Sequence, residues 1–177
     1  MNQDISSTFS LPDANREGLR YVLCFLTRRG RVLMLHRLNP PNAGLWNGVG
    51  GHIEPGEDPH HACLREVREE TGYRLQKCRF RGILTWDGFE TPPGEIYLYT
   101  AAVPPSARPA SCGLDHEGRL EWKPVEWVCS SAEVVSNIHH FLLPVLAKSP
   151  AQHYHFRYQG GEIIGFEIHS LTAGSYE

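Results

Sequence analysis

The chemistry-bearing residues of this chain concentrate between Gly51 and Tyr73. Gly51 is followed by Glu57 and then by the run Arg65-Glu66-Val67-Arg68-Glu69-Glu70-Thr71-Gly72-Tyr73. Pro59 suits a first helical position, Asp58 before it suits an N-cap, and Gly72 suits the C-terminal stop. These signals predict a helix over 59–71. At about 100° per residue, Glu66, Glu69 and Glu70 fall within one arc of about 100°. Three carboxylates on one face repel one another, so a helix built for stability alone would not gather them. Arg65, four residues before Glu69, can pair with it. A hard divalent cation is the natural partner for the rest. Magnesium, with manganese as the alternative, takes oxygen ligands from a few carboxylates, water and phosphates. An ion held there would neutralise phosphate charge and activate a water for attack. Gly50 and Gly51 would let backbone reach such a cluster. For the glutamates taken alone, an exposed acidic helix with i,i+4 pairing remains the competing reading.

The elements that must position this helix are legible around it. Leu19–Leu26 is almost continuously apolar and rich in β-formers, which predicts a buried strand. Thr27–Arg31 predicts a charged turn, Val32–Leu38 the returning strand, and Asn39–Gly44 a loop stiffened by Pro40 and Pro41. Leu45–Gly56 is glycine-rich, so backbone there approaches something closely or adopts positive φ. Further strands are expected at Arg79–Trp86, Ile96–Val103 and Val125–Val128. Loops are expected at Asp87–Glu95 and Pro104–Arg119. A second helix is expected over Ala132–Ala147, its last turn disturbed by Pro144. His153–Tyr158 and Glu162–His169 flank Gly160-Gly161 and predict a closing hairpin. Residues 1–17 are expected to form a flexible polar arm, and 18–177 a single domain.

Composition narrows the function classes. With 177 residues and 41% apolar content, one core can form. A net charge of −3 gives no field for nonspecific nucleic-acid binding. The five cysteines, Cys24, Cys63, Cys78, Cys112 and Cys129, are odd in number and lack CxxC spacing, which argues against a disulfide framework or a cysteine zinc site. Together with a polar first stretch and no apolar run near the ~20 residues of a membrane span, this predicts a cytoplasmic protein. A monomer or homodimer is expected. The ten histidines, clustered as His60-His61, His139-His140 and His153/His155, offer no zinc-ligand spacing and read as incidental.

The run from Gly51 resembles the Nudix box, GX5EX7REUXEEXGU, with U an aliphatic residue. Every glycine and charged position matches. Val67 fits the first U, and Tyr73 stands where an aliphatic residue is usual. The resemblance implies an α/β (α+β) Nudix fold, a mixed central sheet sandwiched between helices. It also implies that Glu66, Glu69 and Glu70 ligate the metal, that Gly50 adds a carbonyl, and that Arg65 and Glu57 orient the helix. The stretch Gly44-Leu45-Trp46-Asn47-Gly48-Val49-Gly50-Gly51 is similar to the lead-in of MutT-like enzymes acting on oxidised purine nucleoside triphosphates. That similarity makes Asn47 a base contact and Gly51 and His52 substrate contacts. His36, on the returning strand, is a further substrate candidate. Glu121-Trp122-Lys123-Pro124 resembles the segment carrying an additional metal-site glutamate, so Glu121 is the candidate there, with Glu117 and Glu126 as competitors. The tail resembles the subgroup's closing hairpin.

One stretch departs from that subgroup. Ser136-Asn137-Ile138-His139-His140 stands where an aromatic residue and an acidic pair grip the base. Asn137 and His139 become the candidates for that contact, with a helix-surface role competing for His139 and His140. The expected activity is magnesium-dependent cleavage of a nucleoside triphosphate to monophosphate and pyrophosphate, with a small nucleotide as partner. Two alternatives are a Nudix hydrolase for another X-linked nucleoside diphosphate and a non-catalytic nucleotide-sensing module.

Overall fold

The structure is a computed structural model and describes residues 19–108, 117–147 and 149–171. The expected arm and Cys112 therefore lie outside the described residues. The elements are β1 (Leu19–Arg28), β2 (Arg31–Arg37), β3 (Trp46–Asn47), α1 (Pro59–Thr71), β4 (Arg79–Asp87), β5 (Gly94–Ala102), β6 (Gly118–Pro124), α2 (Val125–Ser130), α3 (Ile138–Leu146), β7 (Gln152–Gln159) and β8 (Glu162–Ser170). The sheet is mixed and runs β3-β2-β1-β5-β4-β7-β8, with β6 added to β2. β1–β5 and β4–β7 are parallel pairs, and the other strand pairs are antiparallel. One core, with Cys63 and Val67 of α1, fills one face. The other, with Phe141 and Leu142 of α3, fills the opposite face. This is the α/β architecture that the resemblance implied.

The sheet splits where the site forms. β1 and β2 pair only beside their turn, at Thr27↔Val32 and Arg28↔Arg31. β2 then turns to β6 and β3. The freed edge of β1 is taken by residues 49–53: Cys24 donates to the Val49 carbonyl at 2.7 Å, Val22 to the Gly51 carbonyl at 2.9 Å, and Ile53 to the Arg20 carbonyl at 2.9 Å. A glycine-rich segment can lie that close to a strand where a side chain would collide. A Cβ on Gly50 would stand 2.1 Å from the Val22 carbonyl oxygen.

Two expectations fail in the C-terminal half. Val125–Val128 is not a strand but the body of α2, and the strand precedes it as β6. Leu120 and Trp122 of that strand pack on the α1-side core, so the alternation begins earlier than the valines suggest. The helix expected over 132–147 begins only at Ile138. Residues 131–137 make turns because Val134 bridges to Trp46 and Val135 donates to the Trp46 carbonyl at 3.0 Å. Backbone needed to pair with β3 cannot also close a helix. Pro144 sits inside α3, which ends at Leu146 with Ala147 donating to the Leu143 carbonyl. No helix among the described residues is long and apolar enough to cross a membrane.

Candidate active site

α1 starts and stops where its sequence signals predict. Asp58 Oδ1 accepts from the amides of His60 at 2.9 Å and His61 at 3.2 Å. Gly72 adopts φ 71° and donates to the Arg68 carbonyl. Ala62, Cys63 and Val67 are buried, which turns the glutamate face toward the 49–53 segment. Arg65 is the hub of that face. Its guanidinium grips both oxygens of Glu57 at 2.8 and 2.9 Å, and donates to Glu66 at 2.8 Å, to Glu69 at 3.3 Å and to the His52 carbonyl at 3.0 Å. The fork geometry matches two carboxylate oxygens at once. It holds the Glu57 carboxyl down to about 2, chiefly through these hydrogen bonds.

The other glutamates are held differently. Glu70 Oε2 accepts from the Gly50 amide at 3.0 Å. Burial pushes its carboxyl up to about 8, and Glu66 and Glu117 push the same way. Glu66 is also raised, first by burial. Its carboxyl lies so close to Gly51 that a Cβ there would stand 2.6 Å from it. Glu69 is the outer member, with 60% of its side chain exposed. Two half-buried carboxylates with raised proton affinity are short of positive charge, and Arg65 is already shared among three carboxylates and the His52 carbonyl. That donor set fits a hard dication whose remaining ligands come from backbone oxygen, phosphate or water. Among the described residues, no three His, Cys, Asp or Glu side chains converge closely enough to hold an ion alone.

Glu66 and Glu70 open into a cavity of about 650 Å³. Gly50, Gly51, His52 and Arg37 line it at the carboxylate end. Away from the charged residues the lining is neutral, with Leu84, Trp86, Phe89, Ile96 and Tyr158 joined by Asn47 and Asn137. Asn47 Oδ1 accepts from the Gly48 amide at 2.8 Å, and Asn137 Nδ2 donates to the Tyr158 hydroxyl at 3.1 Å. His52 packs its ring 4.3 Å from that of Tyr21, another lining residue.

A family model described as the NUDIX domain matches residues 19–146. The chain belongs to the NUDIX family. The oxidized purine nucleoside triphosphate hydrolase of Danio rerio is 26% identical over 143 residues, covering 80% of this chain and 88% of the relative. An uncharacterized Nudix hydrolase of Bacillus subtilis is 31% identical over 60% of this chain, and an RNA pyrophosphohydrolase of Erythrobacter litoralis is 40% identical over 33% of it. The matched stretch spans 66% and 38% of those two relatives. Among solved structures, a MutT protein from Bacillus halodurans superposes with a TM-score of 0.67 at 24% identity, covering 85% of this chain and 97% of that one.

Not every residue singled out in this NUDIX sequence reaches the cavity. Glu121 does not. It lies on β6 between Leu120 and Trp122, which face the α1-side core, so strand alternation turns it to the opposite face. There it pairs with Lys123 at 2.6 Å and Arg119 at 2.9 Å, and Lys123 lies over the Trp46 and Trp127 rings. Glu117, its competitor, lines the cavity and is close enough to raise Glu70. His36 packs on Trp46 at 4.9 Å and is absent from the cavity wall, because it shares the Trp46 side of the sheet. His139 Nε2 meets the Ser131 carbonyl at 3.1 Å and ties α3 to the end of α2 instead of facing substrate. Two further aromatic residues, Trp122 under Arg28 at 4.2 Å and Trp127 edge-on to Trp46, do not line the cavity either. The residues missed were Arg37, Phe89 and Tyr158. Only Tyr158 had a readable signal, the alternation of the closing hairpin.

Proposed function

We propose that this NUDIX chain is a divalent-metal-dependent hydrolase that cleaves a phosphoanhydride bond by water attack, in a nucleoside triphosphate or another compound linked to a nucleoside diphosphate. The observation that carries the reading is one cavity with two chemically opposite ends. Glu66, Glu70 and the Gly50–Gly51 backbone form an end suited to phosphates through a dication, and a neutral aromatic wall suits a flat ring. When bound there, magnesium supplies charge neutralisation and a more acidic water. The chain's own groups do the positioning. Arg65 holds α1 against the His52 carbonyl, the Gly50 amide orients Glu70, and the absence of a Cβ at Gly51 admits the Glu66 carboxylate. Arg37 brings a cation to the same end.

The finer reading is triphosphate cleavage to monophosphate and pyrophosphate, supported by the similarity to the zebrafish hydrolase over 80% of this chain. A second reading is favoured by one observation: Asn137, not a carboxylate, lines the wall where an acidic pair would grip an oxidised purine. It assigns the chain to another X-linked nucleoside diphosphate. Incubation with 8-oxo-dGTP, ordinary nucleoside triphosphates, nucleotide sugars and dinucleoside polyphosphates, with and without magnesium, tests both. Release of monophosphate and pyrophosphate supports the first. Cleavage confined to the linked diphosphates supports the second. Turnover of none of them would refute the proposed activity.

A further inference from the structure

Trp86 carries a buried polar atom that the fold does not use. The residue is 7% exposed and lines the cavity, and its Nε1 has no hydrogen-bond acceptor among the described residues. An indole nitrogen can only donate, and a buried donor without an acceptor costs free energy in the unliganded chain. A phenylalanine would fill the same wall without that cost. Trp86 stands between the charged and the neutral lining. Its ring lies 6.3 Å from that of Tyr21, which packs on His52, and it is the Cα partner of Phe156 across the parallel β4–β7 pair, two residues before Tyr158, which receives the Asn137 amide. Asn47 also lines the cavity. Its Oδ1 is taken by the Gly48 amide, which leaves its Nδ2 as a second donor. The acidic lining residues, Glu54, Glu66, Glu70 and Glu117, belong to the α1 end through Glu57 and Glu70. The neutral lining holds no carboxylate, and Trp86 Nε1 is its one buried donor without an acceptor among the described residues.

We propose that Trp86 selects the ring of the substrate: its Nε1–H donates to an exocyclic carbonyl oxygen, so the chain takes keto-bearing bases over their amino-bearing counterparts. This rests on the reading that the cavity holds a nucleotide. An amino group in that place would set donor against donor and leave both unsatisfied, and a site built to hydrogen-bond one partner rejects the mismatched one on that ground. Solvent does not reach the nitrogen in the unliganded chain, so the acceptor meets it through a small rotation of the indole, a change common when ligands bind.

The test uses the full chain in calcium buffer, with two pairs of probes that differ by a carbonyl-for-amine exchange, UTP against CTP and ITP against ATP. Nitrogen–proton correlation spectra report the four indole N–H groups directly, and the signal lost in Trp86→Phe belongs to Trp86. The expected result is a downfield move of that signal with the keto member of a pair and roughly tenfold tighter binding of that member. Trp86→Phe is expected to bind both members with the ratio near one. Equal affinities in the wild-type chain would overturn the proposal, as would an unchanged ratio in the variant. A stationary Trp86 signal while the Gly48 and Gly50 amides move, or one bonded to a trapped water throughout, would also overturn it and leave the nucleotide reading intact. Silence of every backbone and indole signal with all four nucleotides would overturn both. The wild-type shift and ratio decide the matter even where the variant folds poorly.

Discussion

The two ends of the cavity are built by different means. The carboxylate end comes mostly from one stretch of about twenty residues, in which helix, turn and glycine segment position one another, with Arg37 and Glu117 added from elsewhere. The neutral end is assembled from β3, β4, β7 and the turn before α3, elements far apart in the chain. The first end is charged, and each of its groups is held by name: Glu57 and Glu66 by Arg65, Glu70 by the Gly50 amide. The second is apolar with a few polar atoms. Chemistry that must be exact is local and rigid, and recognition is spread over surfaces that can change one residue at a time.

The sharpest way to break this contrast is to remove charge from the local end. Glu70→Gln keeps an acceptor for the Gly50 amide and should lower magnesium-dependent turnover by about a thousandfold or more, measured as initial rates. The same variant should melt higher than wild type in chelator at pH 8.5. The Glu70 carboxyl is raised to about 8, so in the metal-free chain its contribution weakens as pH climbs from the unfolded value near 4.5 to 8. A melting curve that moves down, not up, would contradict the burial argument. Removing Arg65 as Arg65→Ala strands three carboxylates and should cost about 2 kcal/mol in denaturant unfolding, together with most activity.

Smaller effects sharpen the contrast. Glu117→Gln should cut turnover by about tenfold, and Glu121→Gln should leave it within about twofold. The reverse order in steady-state rates would move the metal-site role back to Glu121. Asn137→Ala should raise KM by about tenfold with kcat nearly unchanged, because it removes a ring-end contact and leaves the phosphate end alone. The smallest expected effect lies outside the cavity. His153 is buried against the Thr85 hydroxyl at 2.8 Å, and burial lowers it to about 4. The unfolded histidine binds a proton near 6.5, so stability should fall as pH drops from about 6.5 toward 4, and His153→Gln should flatten that slope.

How much of this was legible follows the same division. α1 could be placed to its end residues because caps, periodicity and glycine stops are local signals, and the Arg65–Glu57 pairing follows from the motif. Glu121 was misplaced because a strand face depends on register. A β6 that begins at Gly118 instead of a strand at Val125 turns that side chain to the other side of the sheet. His139 was misread because nothing local shows that residues 131–137 serve β3 as backbone partners, which aims the imidazole at the Ser131 carbonyl. Phe89 and Arg37 reach the cavity through loop and strand-end geometry that no spacing rule encodes.

The glycine-lined floor has a consequence for how such a chain can change over time. A side chain at Gly50 would meet the Val22 carbonyl, which is backbone and cannot give way, and one at Gly51 would displace the Glu66 carboxylate from its place in the site. The first position is closed to drift by the fold, the second by the chemistry. Trp86, Phe89 and Asn137 carry no such backbone constraint, so a laboratory library aimed at new substrates should randomise those three and leave 50 and 51 untouched.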